Sequence, residues 1–504
     1  MPTAATPPDD ASPLMARSRT MVTALQQQWG AQLIETHISW VLIHGQHAWK
    51  VKKPVCLPFV DARLLSTRRH LCEEEWRLNR RLAPALYLGV QPITGTETQP
   101  GLNGPGAALD YAVHMQAFAA DALASTALKQ GRLQARHLED FAPTLARFHR
   151  AARGPLPAPH LGAPANLVKT VEAVVAQLAA FYAAEPLAAI TTWLAEQAQR
   201  LHPLWLQRQR DGHVVEGHGD LHLDNLILQE DQLQAFDGID FNLELRWIDA
   251  MQDMAFLAMD LMAHDRTDLA AVWLNAYLDA SGDHAGLPLL RHAMVYRALV
   301  RALVAYLRGP DHAAEAQPYL RLVHRLMASG DVRLLITHGL SGSGKSHLSG
   351  QLLQRTLCVR LRSDVERKRL FAHTSPQSLY STMASEQTYQ HLRSLSQMAL
   401  QAGWRVIVDG CFLNRAQRYA FRALAHQVHA PFAIVHCEAP VTELERRLIA
   451  RQAQGQDPSD ADIHVLAQQR HAPHQLDADE CDAVLAGEQA PDAIVSAWLK
   501  RTAS

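Results

Sequence analysis

Gly339-Leu340-Ser341-Gly342-Ser343-Gly344-Lys345-Ser346 decides the fold of the half of the chain that contains it. The octapeptide has the form G-x-x-x-x-G-K-S, the phosphate-binding P-loop. The apolar run Leu334-Leu335-Ile336-Thr337 before it predicts a short buried strand. His347-Leu348-Ser349-Gly350-Gln351-Leu352-Leu353 after it predicts a helix. A bare Gly/Ser-rich linker between domains would lack these flanks. Glycines let the backbone curl until several N–H groups point at one anion, and the helix N-terminus adds the positive end of its dipole. The motif sets nucleotide phosphates against Gly339, Ser341, Gly342, Ser343 and Gly344. Lys345 would reach the β/γ-phosphates and Ser346 would hold Mg²⁺. ATP and Mg²⁺ are the expected ligands.

A chain of 504 residues is too long for one ordinary domain, and two or three are expected. The net charge of −2 gives no global basic field, so neither long nucleic acid nor a membrane surface is an expected partner. Six cysteines (Cys56, Cys72, Cys358, Cys411, Cys437, Cys481) contain no C-x-x-C pair and read as reduced thiols of a cytoplasmic protein. No apolar run reaches the length of a membrane span. Met1 to Pro13 is rich in Pro, Ala and Asp and lacks a basic, apolar leader pattern; residues 1–17 are expected to form a disordered tail. His218 and His222 are four apart, but Gly219-Asp220 between them argues for a loop, not a zinc-binding helix.

Residues 18–34 predict a helix. Ile38-Ser39-Trp40-Val41-Leu42-Ile43 and Ala48-Trp49-Lys50-Val51-Lys52 predict a hairpin turning at His44-Gly45-Gln46-His47. Lys50 and Lys52 are two apart and share one face of the second strand, as a solvated edge or as a phosphate contact. Leu64 to Leu82 predicts a charged helix with Glu73-Glu74-Glu75 near its middle. Gln91 to Asp110 reads as a Thr/Gly/Pro-rich loop, Tyr111 to Met115 as a strand, and 138–211 as helical with a break at 154–164.

A second cluster is His218-Gly219-Asp220-Leu221-His222-Leu223-Asp224-Asn225, followed by the short strand Leu226-Ile227-Leu228 and by Ala235-Phe236-Asp237-Gly238-Ile239-Asp240-Phe241. Asp220 and Asn225 lie on one loop, and Asp237 follows a turn at Gln229 to Gln232. Two carboxylates and an amide brought together by a hairpin make an oxygen-rich Mg²⁺ site. One carboxylate can be left over to accept a hydroxyl proton. That division of labour is the one used in kinase-type phosphoryl transfer.

On these residues the segment resembles the aminoglycoside phosphotransferase-like branch of the protein-kinase-like fold, which carries H-G-D-x-x-x-x-N followed by an I/F-D segment. The resemblance spans roughly residues 35–325. It implies an N-terminal α+β, protein-kinase-like domain over 18–329, with Asp220 as the catalytic base and Asn225 and Asp237 on Mg²⁺. It also implies Lys50 (or Lys52) as the strand lysine, with Glu75 (or Glu74) as its helix partner. Asp240 is an alternative metal ligand. No G-x-G-x-x-G loop is present over the phosphates; Ile43-His44-Gly45-Gln46 stands in its place. Trp247-Ile248-Asp249 through Asp253 and Asp260 predict one helix, from which Asp253 would brace the catalytic loop. Tyr296, Arg297 and Arg301 share a later helix and face either a cleft or the core.

Ser329-Gly330-Asp331 marks the expected domain boundary. Beyond it, strand and helix signals alternate over 330–504, which predicts an α/β P-loop domain with a parallel sheet. Cys358-Val359-Arg360-Leu361 predicts a strand ending in Arg362-Ser363-Asp364. Trp404 to Asp409 predicts an apolar strand closed by an acid, beside the P-loop strand, with Asp409 near the Mg²⁺ shell. Ala433 to Cys437 predicts another core strand. Gly344, Asp364 and Asp409 all fall at carboxyl ends of strands, where ligands of such sheets bind. This half resembles small P-loop kinases, in which an acid at the place of Asp364 faces the phosphoryl acceptor. Asp364 would be its base, or a helix N-cap, and Arg362 an acceptor or phosphate contact. Glu445 to Arg451 is a basic helix before a loop at 454–460. Arg447 and Arg451 share a face and resemble lid arginines that neutralise the transferred group, or else form a solvated surface.

Together the halves resemble fusions of an aminoglycoside phosphotransferase-like domain with an AAA-family P-loop domain of the small-molecule kinase kind. The resemblance implies a phosphotransferase acting on a small hydroxyl-bearing acceptor, with a second P-loop ATPase or kinase site. The alternative is a nucleotide-dependent regulator in which one half binds without chemistry.

Overall fold

The computed structural model describes residues 13–57, 60–328, 330–372, 381–454, 461–471 and 475–502. Contacts divide the chain into two compact units, residues 1–173 with 198–257, and residues 174–197 with 258–504.

The first unit is built on an antiparallel sheet. Helix α1 (Pro13–Trp29) precedes strands β1 (Gln32–Glu35), β2 (Ser39–His44) and β3 (His47–Lys52). Helix α2 (Leu65–Asn79) leads to β4 (Tyr87–Gly95), β5 (Pro100–Leu102) and β6 (Asp110–Gln116). The six strands lie in the order β1-β2-β3-β6-β4-β5. Period-2 alternation sorts their side chains. Trp40, Leu42 and Val51 pack on one face against Met21, Val22 and Leu25 of α1. Ala48 and Val113 pack on the other face with Cys72 of α2. Lys50 and Lys52 alternate with Trp49 and Val51, so they lie on the α2 face.

Three expectations are corrected. Residues 13–17, expected in the tail, open α1, which ends at Trp29 and not at 34; residues 1–12 of that tail lie outside the described residues. The stretch Gln91 to Asp110 is not one loop. Thr94 and the fully buried Ile93 continue β4, which pairs with both β5 and β6; the turn-forming residues around them mask this alternation. Trp247–Asp249 is not helical. It forms β10 once β7 (Val214–Glu216), β8 (Leu226–Gln229) and β9 (Gln232–Ala235) are counted. It pairs with β7 through Ile248 and Val215.

Between these strands run α3 (Ala135–Ala151) and two further helices, Pro164–Leu178 and Ala184–Arg210. After β10 come α4 (Ala250–Ala263), α5 (Thr267–Ser281), α6 (Leu287–Leu307) and α7 (Ala316–Met327). Tyr296 and Arg297 of α6 are core residues, each 4% exposed. Helices α5, α6 and α7 belong to the second compact unit.

That unit contains an all-parallel sheet. Its strands are β11 (Leu334–His338), β12 (Val359–Arg362), β13 (Val406–Asp409), β14 (Phe432–His436) and β15 (Val484–Ala486), in the order β12-β13-β11-β14-β15. All five residues of β11 are buried, as expected for a central strand covered on both faces. Helix α8 (Lys345–Thr356) follows the P-loop. Helices α9 (Ser363–Leu370), α10 (Thr382–Gln401), α11 (Val441–Gln454) and α12 (Ile463–His471) complete the surroundings of the site. The expected loop at 454–460 lies outside the described residues beyond Gln454.

Candidate functional site

In the first unit the lysine–glutamate question is decided by helix and strand phase. Lys50 Nζ lies 2.9 Å from Glu75 Oε1 and 2.5 Å from Asp237 Oδ1. Lys52 Nζ lies 2.5 Å from both Glu75 Oε2 and Asp240 Oδ2. Glu75 is therefore shared by the two lysines, whereas Glu74 turns to Arg77 and Arg246. Burial opposes the charge on Glu75 most strongly. The two lysines overcome it and hold its pKa down to about 2. Burial also raises Asp240, against the pull of Lys52. Each acid faces a lysine at 2.5 Å, but the Asp240 side chain is buried and that of Asp237 is half exposed.

The loop carrying Asp220 is held from beneath. Asp253, fully buried, accepts the N–H of His218 at 2.7 Å and of Gly219 at 2.9 Å, and meets His149 Nε2 at 3.0 Å. Burial works against this charge, but the bonds from His149 and the loop hold its pKa to about 2. Gly219 has φ +83°, and a Cβ there would come within 2.9 Å of the Leu245 carbonyl. Asn225 Nδ2 donates to the side chain and the carbonyl of Asp220, each at 2.9 Å. Asp237 adopts a left-handed φ of 58°, uncommon for a residue with a side chain. Its N–H donates to the Tyr87 hydroxyl, and the next N–H, of Gly238, donates to Asn79 Oδ1.

Asp220 and Asn225 are thus bonded to each other, and Asp237 is tied to Lys50. Among the described residues no three His, Cys, Asp or Glu side chains converge as a metal cage. Two carboxylates and an amide nonetheless fit Mg²⁺, which takes a few protein oxygens and completes its shell with phosphate and water. The braces Asn79, Tyr87 and His149 had no signal in the sequence, because each lies more than 60 residues from what it holds.

In the second unit Gly339, Gly342 and Gly344 have φ of +139°, +84° and +96°. A Cβ on Gly339 would lie 2.2 Å from the Cys437 carbonyl, so glycine is required there. Lys345 Nζ donates to the Leu340 carbonyl at 2.6 Å. The Ser341 N–H donates to Gln469 Oε1 of α12 at 2.9 Å. Asp409 is 5% exposed and accepts from Ser349 Oγ at 3.2 Å. It lies beside Arg362 in register.

A cleft of about 200 Å³ is lined by Gly344, Lys345, Ser346, Asp364, Asp409, Arg447 and Arg451. The hydroxyl of Ser346 and the buried carboxylate of Asp409 fit a divalent cation beside phosphates. Arg447 donates to the Gly342 carbonyl and to Glu443, and Arg451 to the Ala461 carbonyl. A second cavity of about 300 Å³ shares Ser341, Ser363, Asp364 and Cys411 with the cleft. Its further lining includes Arg367, Thr382, Ser385, Asn414 and Gln417. Asp364 borders both spaces.

Residues 64–292 match the family model described as phosphotransferase enzyme family, and residues 334–475 match that described as AAA domain. An uncharacterized protein of Mycobacterium tuberculosis (strain H37Rv) is 29% identical over 454 residues, covering 87% of this chain and 89% of its own. Among solved structures, a choline kinase from Cryptosporidium parvum Iowa II is 11% identical, covering 59% of this chain and 88% of its own, with a TM-score of 0.38. A sugar kinase from Janibacter sp. HTCC2649 is 19% identical, covering 34% and 95%, with a TM-score of 0.27. The chain is an enzyme of the kinase type in which one segment matches the phosphotransferase enzyme family and another, with the P-loop, matches the AAA domain.

Proposed function

We propose that the protein is a cytoplasmic, ATP- and Mg²⁺-dependent phosphotransferase acting on a small hydroxyl-bearing molecule, with a second kinase site at the P-loop. The proposed domains are residues 18–329 and 330–504. The observation that carries the reading is the position of Asp364, which lines both the cleft at the P-loop and the cavity beside it. A donor phosphate against Lys345 and an acceptor hydroxyl in the second cavity would meet at this carboxylate.

Asp364 accepts the hydroxyl proton as the acceptor oxygen attacks phosphorus. Lys345, Arg447 and Arg451 neutralise charge on the transferred group. In the first unit Asp220 takes the role of base. Glu75 fixes Lys50, which contacts the phosphates of the donor. Ser346 with Asp409 in one half, and Asn225 with Asp237 in the other, would hold Mg²⁺. The ion supplies charge neutralisation on the phosphate oxygens.

One observation favours the regulatory alternative for the first unit: Lys50 already occupies Asp237, the carboxylate proposed for Mg²⁺. The test is ADP release from Mg·ATP with a pool of sugars, nucleosides and amino alcohols, for wild type, Lys345→Ala and Asp220→Asn. Two separate acceptor-dependent losses support two kinase sites. Full activity in Asp220→Asn makes the first unit a binding module. Activity unaffected by either change overturns the proposal.

A further inference from the structure

Strand β12 is an edge of its sheet, so one side of its backbone has no strand partner among the described residues. Asn275 of α5, 1% exposed, fills that place. Its Nδ2 donates to the Cys358 carbonyl at 2.8 Å, and its Oδ1 accepts the Arg360 N–H at 2.6 Å. The side-chain amide pairs with the edge as a peptide group of a sixth strand would. One helical turn further, Asp279 lies about 6 Å along α5. Two residues further, Arg362 lies about 6.6 Å along β12. The two repeats match, and Asp279 Oδ2 comes to 3.8 Å from Arg362 Nη1. The Asp279 carbonyl also accepts from Arg369 Nη2 of α9. On its other side Arg362 Nε lies 4.0 Å from Asp409 Oδ2.

One guanidinium is therefore shared between two carboxylates. A guanidinium is a permanent cation. Drawn wholly onto Asp409, it would compete with a divalent ion for the same oxygens. We infer that Asp279 is a positioning residue of the P-loop site: it holds Arg362 off Asp409 and so keeps that carboxylate available to Mg²⁺. The inference rests on the reading of Asp409 as a Mg²⁺ ligand. Asp279 lies within residues 64–292, matched by the phosphotransferase family, and outside 334–475, matched by the AAA domain. The P-loop site is thus completed by a residue from the other family's segment.

The test is calorimetric binding of ADP to the full-length protein over a series of free Mg²⁺ concentrations, taking the component that Lys345→Ala removes. Asp279→Asn raises the Mg²⁺ needed for half of the metal-induced gain in ADP affinity by about tenfold. That is the scale of drawing a unit charge from 4.0 Å to a direct contact of about 2.8 Å at an effective dielectric of ~20. Mg²⁺-free ADP affinity is unchanged. The double variant Asp279→Asn/Arg362→Gln returns the Mg²⁺ requirement to the wild-type value, which a loss of packing would not do. Should Asp279→Asn fold poorly, Arg362→Gln alone reads the same relationship and keeps or lowers the requirement. An unchanged requirement in Asp279→Asn, or a raised one in Arg362→Gln, overturns the inference. If Asp409→Asn leaves the requirement unchanged, the reading of Asp409 fails and the inference with it.

Discussion

The carboxylate of Asp253 accepts the backbone N–H of Gly219 at 2.9 Å, from a position with no solvent exposure. It holds the His218 N–H with its other oxygen. The loop presenting Asp220 is therefore fixed by a buried charge outside the reacting groups. Asp253→Asn keeps the shape but loses the charge. It is expected to destabilise the protein by about 2–3 kcal/mol, the range for hydrogen bonds to a charged group left unmade. The pKa of about 2 adds a sign. The folded state binds this proton less readily than the unfolded chain. Stability from Asp253 is present above pH 4 and is lost as pH falls toward 2. Chemical denaturation of wild type and variant checks both, and equal stabilities would refute the bracing role.

Lys50 and Lys52 share Glu75 but differ in their second partners. Asp240 beside Lys52 has a side chain 5% exposed, and Asp237 beside Lys50 one 46% exposed. Lys52→Met leaves buried Asp240 without its lysine and buried Glu75 with one lysine of two, and is expected to cost about 3–5 kcal/mol. Lys50→Met is expected to raise the KM for ATP in the first unit with a smaller loss of stability. Thermal melts read beside nucleotide kinetics check the split. Equal melting temperatures for the two variants would show that both lysines do the same thing.

Lys345 points into its own loop, donating to the Leu340 carbonyl, a bond that a nucleotide phosphate can replace. Lys345→Ala is expected to weaken ADP binding in the second unit by about a hundredfold, the scale of one charge-assisted contact of ~3 kcal/mol. Asp364→Asn, by contrast, is expected to lower kcat and leave ADP affinity in place. Titration with a fluorescent ADP analogue separates the two. Loss of ADP binding in Asp364→Asn would make that residue part of the phosphate site.

His292 in α6 is 4% exposed, and burial lowers its pKa from 6.5 to about 4. Below pH 6.5 the unfolded chain binds a proton that the folded chain refuses, so stability falls as pH drops from 6.5 toward 4. The group's share is expected to be about 2 kcal/mol between pH 7.5 and pH 5. His292→Gln removes that slope. Urea midpoints at the two pH values measure it, and an unaltered difference in the variant would count against a neutral buried imidazole.

What the sequence made legible is local. The glycines of residues 339–344 and their flanks specify strand, turn and helix within twenty residues, and the β2–β3 hairpin is written in alternation around Gly45-Gln46. The choice between Glu74 and Glu75 was not legible. Both sit on one helix, and the phase of α2 against β3 decides which one meets a lysine. The β10 tripeptide read as helix because three residues carry no periodicity; its strand partner, at Val214–Glu216, makes it extended. Asn79 and Asn275 act on backbone far along the chain, and His149 on the distant Asp253 side chain, where no spacing rule reaches.

The amide of Asn275 against Cys358 and Arg360 has a consequence for how this protein can be divided. A fragment beginning at residue 330 keeps every strand of the parallel sheet but loses the helix that covers the edge at β12. Its backbone N–H and C=O groups would then be open to another molecule of the same fragment. Such a fragment is expected to self-associate through that edge, in a concentration-dependent way, although each of its elements is intact.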